Sequence, residues 1–335
     1  MARVGVLGAG TWGTALARVL SNSGHDVTIW SALEREVVEY AKTRRHPNLP
    51  GMVIPDALQF TADIEDVVSD KDMLLFAVPS VFVRNTAAKA APFIPDGQII
   101  VDVAKGIEPD TLMTLTEVIR DELDKAGGHE NVKLVALSGP THAEEVSHDM
   151  PTAIVSACKD SKAAEYVQEL FLNTCMRVYT NDDVLGVELC GAMKNIIALA
   201  SGMLVGLGYG DNTKAALITR GMAEITRLGE AMGCEKHTFA GLAGIGDLIV
   251  TATSVHSRNN KAGYLIGQGR TPQQAIEEVG MVVEGINALP AAMYLSRKYH
   301  VDMPIAWGVN EIVNHGGHPE EILHELMRRP QKREE

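Results

Sequence analysis

An α/β fold, with a doubly wound and mostly parallel sheet followed by an all-α C-terminal domain, is predicted by three features of the sequence. A glycine-rich turn joins a short apolar strand to a helix at the N-terminus, apolar runs recur through the first half with helix-like segments between them, and strand-like runs become scarce after residue 182. At 335 residues the chain suits two domains better than one. The capping cluster Thr180-Asn181-Asp182-Asp183 ahead of a long helical pattern sets the expected boundary, giving domains 1–182 and 183–335.

Arg3 to Leu7 reads as a strand, Gly8 to Gly13 as a turn, and Thr14 to Ser23 as an alanine- and leucine-rich helix closed by Gly24. Asp26 to Trp30 follows as a second strand and completes a βαβ unit of about 30 residues, the size a parallel crossover needs. Within the turn, Gly8 allows the tight bend, Gly10 lets backbone approach a pyrophosphate, and Gly13 lets the helix pack close, while the helix N-terminus attracts phosphate. A glycine turn alone could simply join strand to helix. Its place in a βαβ unit makes it a Rossmann-type dinucleotide site.

The ribose of such a cofactor is read at the end of the second strand, where an acid favours NAD and a nearby arginine favours NADP. Trp30-Ser31-Ala32-Leu33-Glu34-Arg35 puts neither directly at the strand end, so the cofactor is NAD or NADP. Further strands are expected at Met73–Val78, Ile99–Val103 and Leu134–Leu137. They lead into Pro79-Ser80, Lys105-Gly106 and Ser138-Gly139-Pro140-Thr141, at the carboxyl ends where doubly wound sheets bind ligands.

The second half reads as helical, with a helix from about Thr213 to Met232 and glycine-rich breaks at 206–210 and 241–246. Between Leu189 and Gly210 the only charged residue is Lys194. A membrane span of that length is conceivable, but the glycines, Lys194 and Asn195 favour a buried helix of a soluble protein. Lys194 then either snorkels to the surface or serves as a site lysine, whose partial desolvation would lower its pKa toward acid–base use. Ser257-Arg258-Asn259-Asn260 precedes the helix-like stretch Ala262–Gly267, and reads as a phosphate seat or as a plain N-cap with an exposed arginine. Asp247, after a glycine-rich segment, decides nothing alone. His142 reads as a helix-start residue, and the other histidines form no ligand-like pair, so no metal site is expected.

A net charge of −13 repels nucleic acid and anionic membrane in bulk, so any anionic ligand must be caught locally. The four cysteines lie far apart and form no Cys-x-x-Cys pair, which suggests neither a zinc cluster nor a redox motif and fits a reducing cytoplasm. The apolar run behind Met1-Ala2-Arg3 is broken by Gly8, Gly10 and Gly13, and no export signal is expected. The charged tail from Arg328 to Glu335 reads as a frayed terminus.

Taken together, several segments resemble the bacterial NAD(P)-dependent glycerol-3-phosphate dehydrogenase family. They are GAGTWGT at Gly8–Thr14, Val78-Pro79-Ser80, Ala104-Lys105-Gly106, LSGP at Leu137–Pro140, GVELCGAMKN at Gly186–Asn195, ALITRG at Ala216–Gly221, GLAGIGDL at Gly241–Leu248, Ser257-Arg258-Asn259-Asn260 and Val282-Val283-Glu284-Gly285. The resemblance runs nearly end to end. It implies reversible hydride transfer between a nicotinamide and carbon 2 of a three-carbon phosphate, interconverting dihydroxyacetone phosphate and sn-glycerol 3-phosphate and supplying the latter for phospholipid synthesis.

By the same resemblance Lys194 is the general acid or base, Lys105 and Asp247 lie around substrate and lysine, and Asn195 and Thr251 are supporting hydrogen-bonders. Gly139 and Thr141 match substrate-contacting positions, and Ser257, Arg258 and Asn259 match the substrate-phosphate site. Gly8, Gly10, Thr11, Trp12, Gly13, Lys105, Ala143, Arg258, Val282 and Glu284 fall at cofactor positions. A homodimer is implied, with a small-molecule substrate and neither nucleic acid nor stable membrane insertion. Many relatives carry serine at Thr11 and a basic residue at Ala32, and the second departure argues against a strong NADP preference. A related β-hydroxyacid dehydrogenase, or a non-catalytic NAD-binding regulatory protein, are the competing readings.

Overall fold

The computed structural model describes residues 1–331, 333 and 334. They divide into two units, the first ending at Glu188 and the second starting at Leu189, so the division falls inside one long helix, Val184–Gly206.

The first unit is built on an eight-stranded sheet. Its strands are β1 (Arg3–Leu7), β2 (Asp26–Trp30), β3 (Gln59–Thr61), β4 (Met73–Phe76), β5 (Ile99–Asp102), β6 (Lys133–Ser138), β7 (Thr152–Ala157) and β8 (Met176–Asn181), in the order β3-β2-β1-β4-β5-β6-β7-β8. All neighbours from β3 to β6 pair in parallel, as the doubly wound reading requires. The strand order reverses between β1 and β4, which makes the crevice at their carboxyl ends the switch point of the sheet.

Strands buried on both faces read as continuous apolar runs, and that is why β1, β4 and β5 were legible. Val4, Val6, Met73, Leu75 and Val101 belong to one apolar cluster with Ala15, Leu16, Val19 and Leu20 of the helix Thr11–Asn22. Leu7, Leu74, Phe76 and Ile100 face the other way, into a cluster with Val83, Ala87, Ile119 and Leu123.

Three strands were not anticipated. β3 is a short edge strand, and β8 alternates buried Met176 and Val178 with exposed Arg177 and Tyr179, so neither offers an apolar run. β7 pairs antiparallel to β6, because the connection between them carries only the four-residue helix Ala143–Val146 in place of a crossover long enough to span the sheet. The first helix begins at Thr11, earlier than the expected Thr14, since Gly10 is its cap and its carbonyl accepts from Thr14 N at 2.9 Å.

No strand follows Asn181 among the described residues, and the second unit is helical. Its longer helices are Asp211–Ala231, Arg258–Gly267, Leu289–Lys298, Pro304–His315 and Pro319–Met327, together with most of Val184–Gly206. Val184–Gly206 is long and apolar enough to cross a membrane, yet 94% of its most apolar window is buried in the protein, the signature of a core helix. Against it lies the helix Arg258–Gly267 at backbone contact: a Cβ on Gly263 would sit 1.9 Å from the Leu199 carbonyl oxygen, and one on Gly202 would sit 2.0 Å from that of Asn260. Only glycine fits at either crossing point.

Candidate active site

In the first unit the glycine turn closes over the carboxyl end of β1. Gly8 has φ +125°, and a Cβ there would lie 2.7 Å from the Ala77 carbonyl oxygen just past β4. A Cβ on Gly13 would lie 2.1 Å from Gly8 O, so helix and turn touch backbone to backbone. Gly10 differs from both. Nothing approaches within 4 Å of the position its Cβ would take, and no acidic side chain occupies the first turn of the following helix. Open space over unpaired first-turn N–H groups and the positive end of a helix dipole fits a pyrophosphate. Thr11 and Trp12, both half-buried, form that first turn.

Around the carboxyl end of β5, Lys105 Nζ donates to Gly139 O at 3.2 Å, and the Thr141 hydroxyl donates to the same carbonyl at 3.3 Å. Lys105, Gly139 and Thr141 are therefore brought together, with Ala143 buried two residues further on at the start of the one-turn helix. His142 occupies the capping position of that helix but makes no side-chain cap bond. At the end of β2, Ser31 donates to Glu36 at 2.6 Å, while Ala32, Leu33, Glu34 and Arg35 are exposed.

Two acids in this unit escaped the sequence reading. Asp102, at the last position of β5 and 2% exposed, accepts from Ala104 N at 3.2 Å and so shapes the approach to Lys105. Burial, with the charge of Glu188 nearby, pushes its carboxyl well above the usual range. Glu188 is itself pushed up by burial, although it accepts from Thr116 N at 2.9 Å and from the Thr116 hydroxyl at 2.6 Å. A buried carboxyl between apolar neighbours leaves no periodicity to read. Exposed Val81 and Phe82, following β4, were also passed over, although two apolar residues after Pro79-Ser80 are a visible signal.

In the second unit Lys194 is 4% exposed, so the snorkelling alternative fails. Its ammonium donates to Asp247 Oδ1 at 2.7 Å and to the Thr251 hydroxyl, which in turn donates to the Asp247 carbonyl at 2.7 Å. Asp247 is fully buried at the first position of the helix Asp247–Thr253. The preceding Leu242–Gly246 segment is a wide, π-type turn broken at Gly244, and it delivers Asp247 to the lysine.

Asn195, next along the lysine's helix, donates from Nδ2 to Gly191 O at 3.1 Å and accepts at Oδ1 from Asn259 Nδ2 at 2.9 Å. Asn259 Oδ1 accepts from Gly285 N at 2.8 Å. Ser257 caps the helix Arg258–Gly267 by accepting from Asn260 N at 3.2 Å, so Arg258 and Asn259 form its first turn, ahead of the expected start at Ala262. Arg258 is exposed and Val282 and Glu284 are half-buried. A cavity of about 730 Å3 also lies in this unit, walled by Met203, Leu204, Ile305 and Ile312 among others, and Lys194, Asp247, Thr251 and Arg258 are not among its walls.

Residues 3–164 match the family model for the N-terminus of NAD-dependent glycerol-3-phosphate dehydrogenase, and residues 183–324 match the model for its C-terminus. The chain belongs to this family. It is 66% identical over 334 residues to a glycerol-3-phosphate dehydrogenase [NAD(P)+] 2 of Lactobacillus delbrueckii subsp. bulgaricus, covering 100% of this chain and 99% of the relative. It is 53% identical to the glycerol-3-phosphate dehydrogenase [NAD(P)+] of Agathobacter rectalis, over 99% and 97% of the two chains. Among solved structures, the glycerol-3-phosphate dehydrogenase of Coxiella burnetii superposes with a TM-score of 0.92 at 35% identity, over 98% of this chain and 99% of that one. As a member of the glycerol-3-phosphate dehydrogenase family, the chain is an NAD(P)-linked oxidoreductase acting on a small molecule.

Proposed function

We propose that the chain reversibly interconverts sn-glycerol 3-phosphate and dihydroxyacetone phosphate, with Lys194 as general acid or base. The observation that carries this is the buried Lys194–Asp247–Thr251 cluster, a cation fixed in one place by a carboxylate and a hydroxyl at 2.7 Å or less. Held so, the ammonium donates a proton to a carbonyl oxygen as it becomes an alkoxide, and in the other direction the amine accepts the hydroxyl proton. Its charge stabilises the developing alkoxide in a site from which water is excluded. Asp247 and Thr251 fix the lysine's position, so no reorientation is needed during the reaction. When bound, NAD or NADP supplies or accepts the hydride.

In this reading the turn from Gly8 through Gly10 to Gly13, with Thr11 and Trp12, holds the dinucleotide, and Ala143, Val282 and Glu284 add contacts to it. Lys105, Gly139 and Thr141 receive the substrate. Ser257, Arg258 and Asn259 receive its phosphate at a helix N-terminus, where a guanidinium, a hydroxyl and backbone N–H groups converge. We further assign the chain to a cytoplasmic homodimer that supplies glycerol 3-phosphate for phospholipid synthesis. A β-hydroxyacid dehydrogenase would bind a carboxylate where Arg258 stands, and a silent NAD-binding regulator would have no use for the lysine cluster.

The purified chain should oxidise NADH or NADPH when dihydroxyacetone phosphate is added, with dihydroxyacetone a poor substitute. Absence of turnover with both cofactors would overturn the assignment.

A further inference from the structure

We propose that Arg84 is a positioning residue for Lys105, because its guanidinium clamps the segment that follows the lysine to the helix that follows β4. The proposal rests on the reading that Lys105 receives the substrate.

Arg84 lies in the first turn of the helix Val83–Ala90, and Glu108 lies three residues beyond Lys105. The two meet as a fork, with Arg84 Nε donating to Glu108 Oε1 at 2.7 Å and Arg84 Nη2 to Glu108 Oε2 at 2.6 Å. Two parallel charge-assisted bonds fix the angle between the groups as well as their separation. The Thr111 hydroxyl donates to the same carboxylate at 2.6 Å, and the guanidinium holds the Glu108 carboxyl below its usual range, so the fork is charged at neutral pH. The remaining nitrogen, Nη1, donates to Asp121 and Glu122 of the helix Leu115–Ala126. Two helices and one loop therefore meet at a single side chain.

Lys105 stands between two anchored points. Upstream, Asp102 at the end of β5 accepts from Ala104 N at 3.2 Å. Downstream, Ile107 is 5% exposed and bridges to Thr114, Glu108 N donates to Met113 O at 3.0 Å, and Leu112 N donates to Glu108 O at 2.8 Å. Residues 107–114 thus form a folded loop, and the fork joins that loop to the helix after β4. From this backbone the lysine ammonium reaches Gly139 O at 3.2 Å. A shift at Glu108 is passed to Lys105 through two intervening residues, and a misplacement of about 1 Å at a reacting site is costly.

The test compares Arg84→Lys, Arg84→Met, Lys105→Met, and Arg84→Lys combined with Lys105→Met. Arg84→Lys keeps a cation opposite Asp121 and Glu122 but cannot form the fork, so its Tm should fall by no more than about 3 °C. Its KM for dihydroxyacetone phosphate should nonetheless rise about tenfold with kcat within about threefold of wild type, a loss of placement and not of chemistry. Arg84→Met should show the same KM defect with a lower Tm. Added to Lys105→Met, Arg84→Lys should lower kcat/KM by less than about a further twofold, because both act at one group. Hydrogen–deuterium exchange across residues 103–114 should quicken in Arg84→Lys while β4 and β5 keep their protection.

A KM within about twofold of wild type in both Arg84 variants overturns the proposal, and so does an Arg84→Lys loss that adds in full to that of Lys105→Met. A normal KM in Lys105→Met shows instead that the reading of Lys105 has failed, and the clamp's effect on substrate falls with it. Should the wild-type chain turn over no dihydroxyacetone phosphate, the functional assignment fails and exchange across residues 103–114 decides the clamp, with unchanged exchange overturning it.

Discussion

Lys194 and Asp247 form an ion pair at 2.7 Å in which the two side chains are only 5% and 1% exposed. An isolated buried charge costs several kcal/mol, so each partner depends on the other for its place in the core. This relationship separates two effects that a single substitution would mix.

Lys194→Ala should lower kcat by at least 100-fold, the usual worth of a positioned acid or base. It should also cost about 3 to 5 kcal/mol of stability by leaving the buried Asp247 carboxylate without its cation. Lys194→Met combined with Asp247→Leu should regain most of the lost Tm and none of the turnover. Thermal denaturation beside a steady-state assay checks both, and near-normal turnover in Lys194→Ala would remove the lysine from the mechanism.

Arg258→Ala should weaken recognition of phosphorylated substrate by about 1.5 to 3 kcal/mol, the value of a hydrogen bond to a charged group. That is roughly 10- to 150-fold in kcat/KM for dihydroxyacetone phosphate. Dihydroxyacetone should be affected little. Equal losses on the two substrates would contradict a phosphate role.

Ala32→Arg should shift the cofactor preference toward NADPH. The exposed Ala32 lies just beyond β2 and presents no charge to a ribose 2′-phosphate, while Ser31 is engaged with Glu36 at 2.6 Å. The ratio of kcat/KM for NADPH over NADH, measured in both chains, checks this, and an unchanged ratio would place the discriminating residue elsewhere.

Glu224 gives the second unit a pH dependence of its own. It is 2% exposed and accepts from Ile305 N at 2.8 Å and Ala306 N at 3.3 Å, yet burial outweighs these bonds and pushes its carboxyl up to about 7. The folded state therefore holds the proton more tightly than the unfolded chain between pH 4.5 and about 7. The stability this contributes is fully present below pH 4.5 and is lost as pH rises through about 7, at most about 3 kcal/mol. Glu224→Gln removes the titration, so its Tm relative to wild type should climb across that interval. A difference independent of pH would show that Glu224 stays ionised in the fold.

The sequence by itself determined the parallel core of the sheet and the glycine turn, because both rest on local chemistry: apolar runs for strands buried on two faces, and glycines where backbone meets backbone. It also marked Lys194 as anomalous, a lone charge in an apolar helix. It could not say what the lysine met. Asp247 and Thr251 lie more than fifty residues away, and only the π-type turn before Asp247 brings them to the ammonium. The same holds for Asn259, whose amide is joined to Asn195 and Gly285 only once the chain has folded. The antiparallel β7, the edge strands, and the buried carboxyls of Asp102, Glu188 and Glu224 were likewise decided by the tertiary structure. Their identity depends on which distant groups share a low-dielectric interior, and residue periodicity carries no record of that.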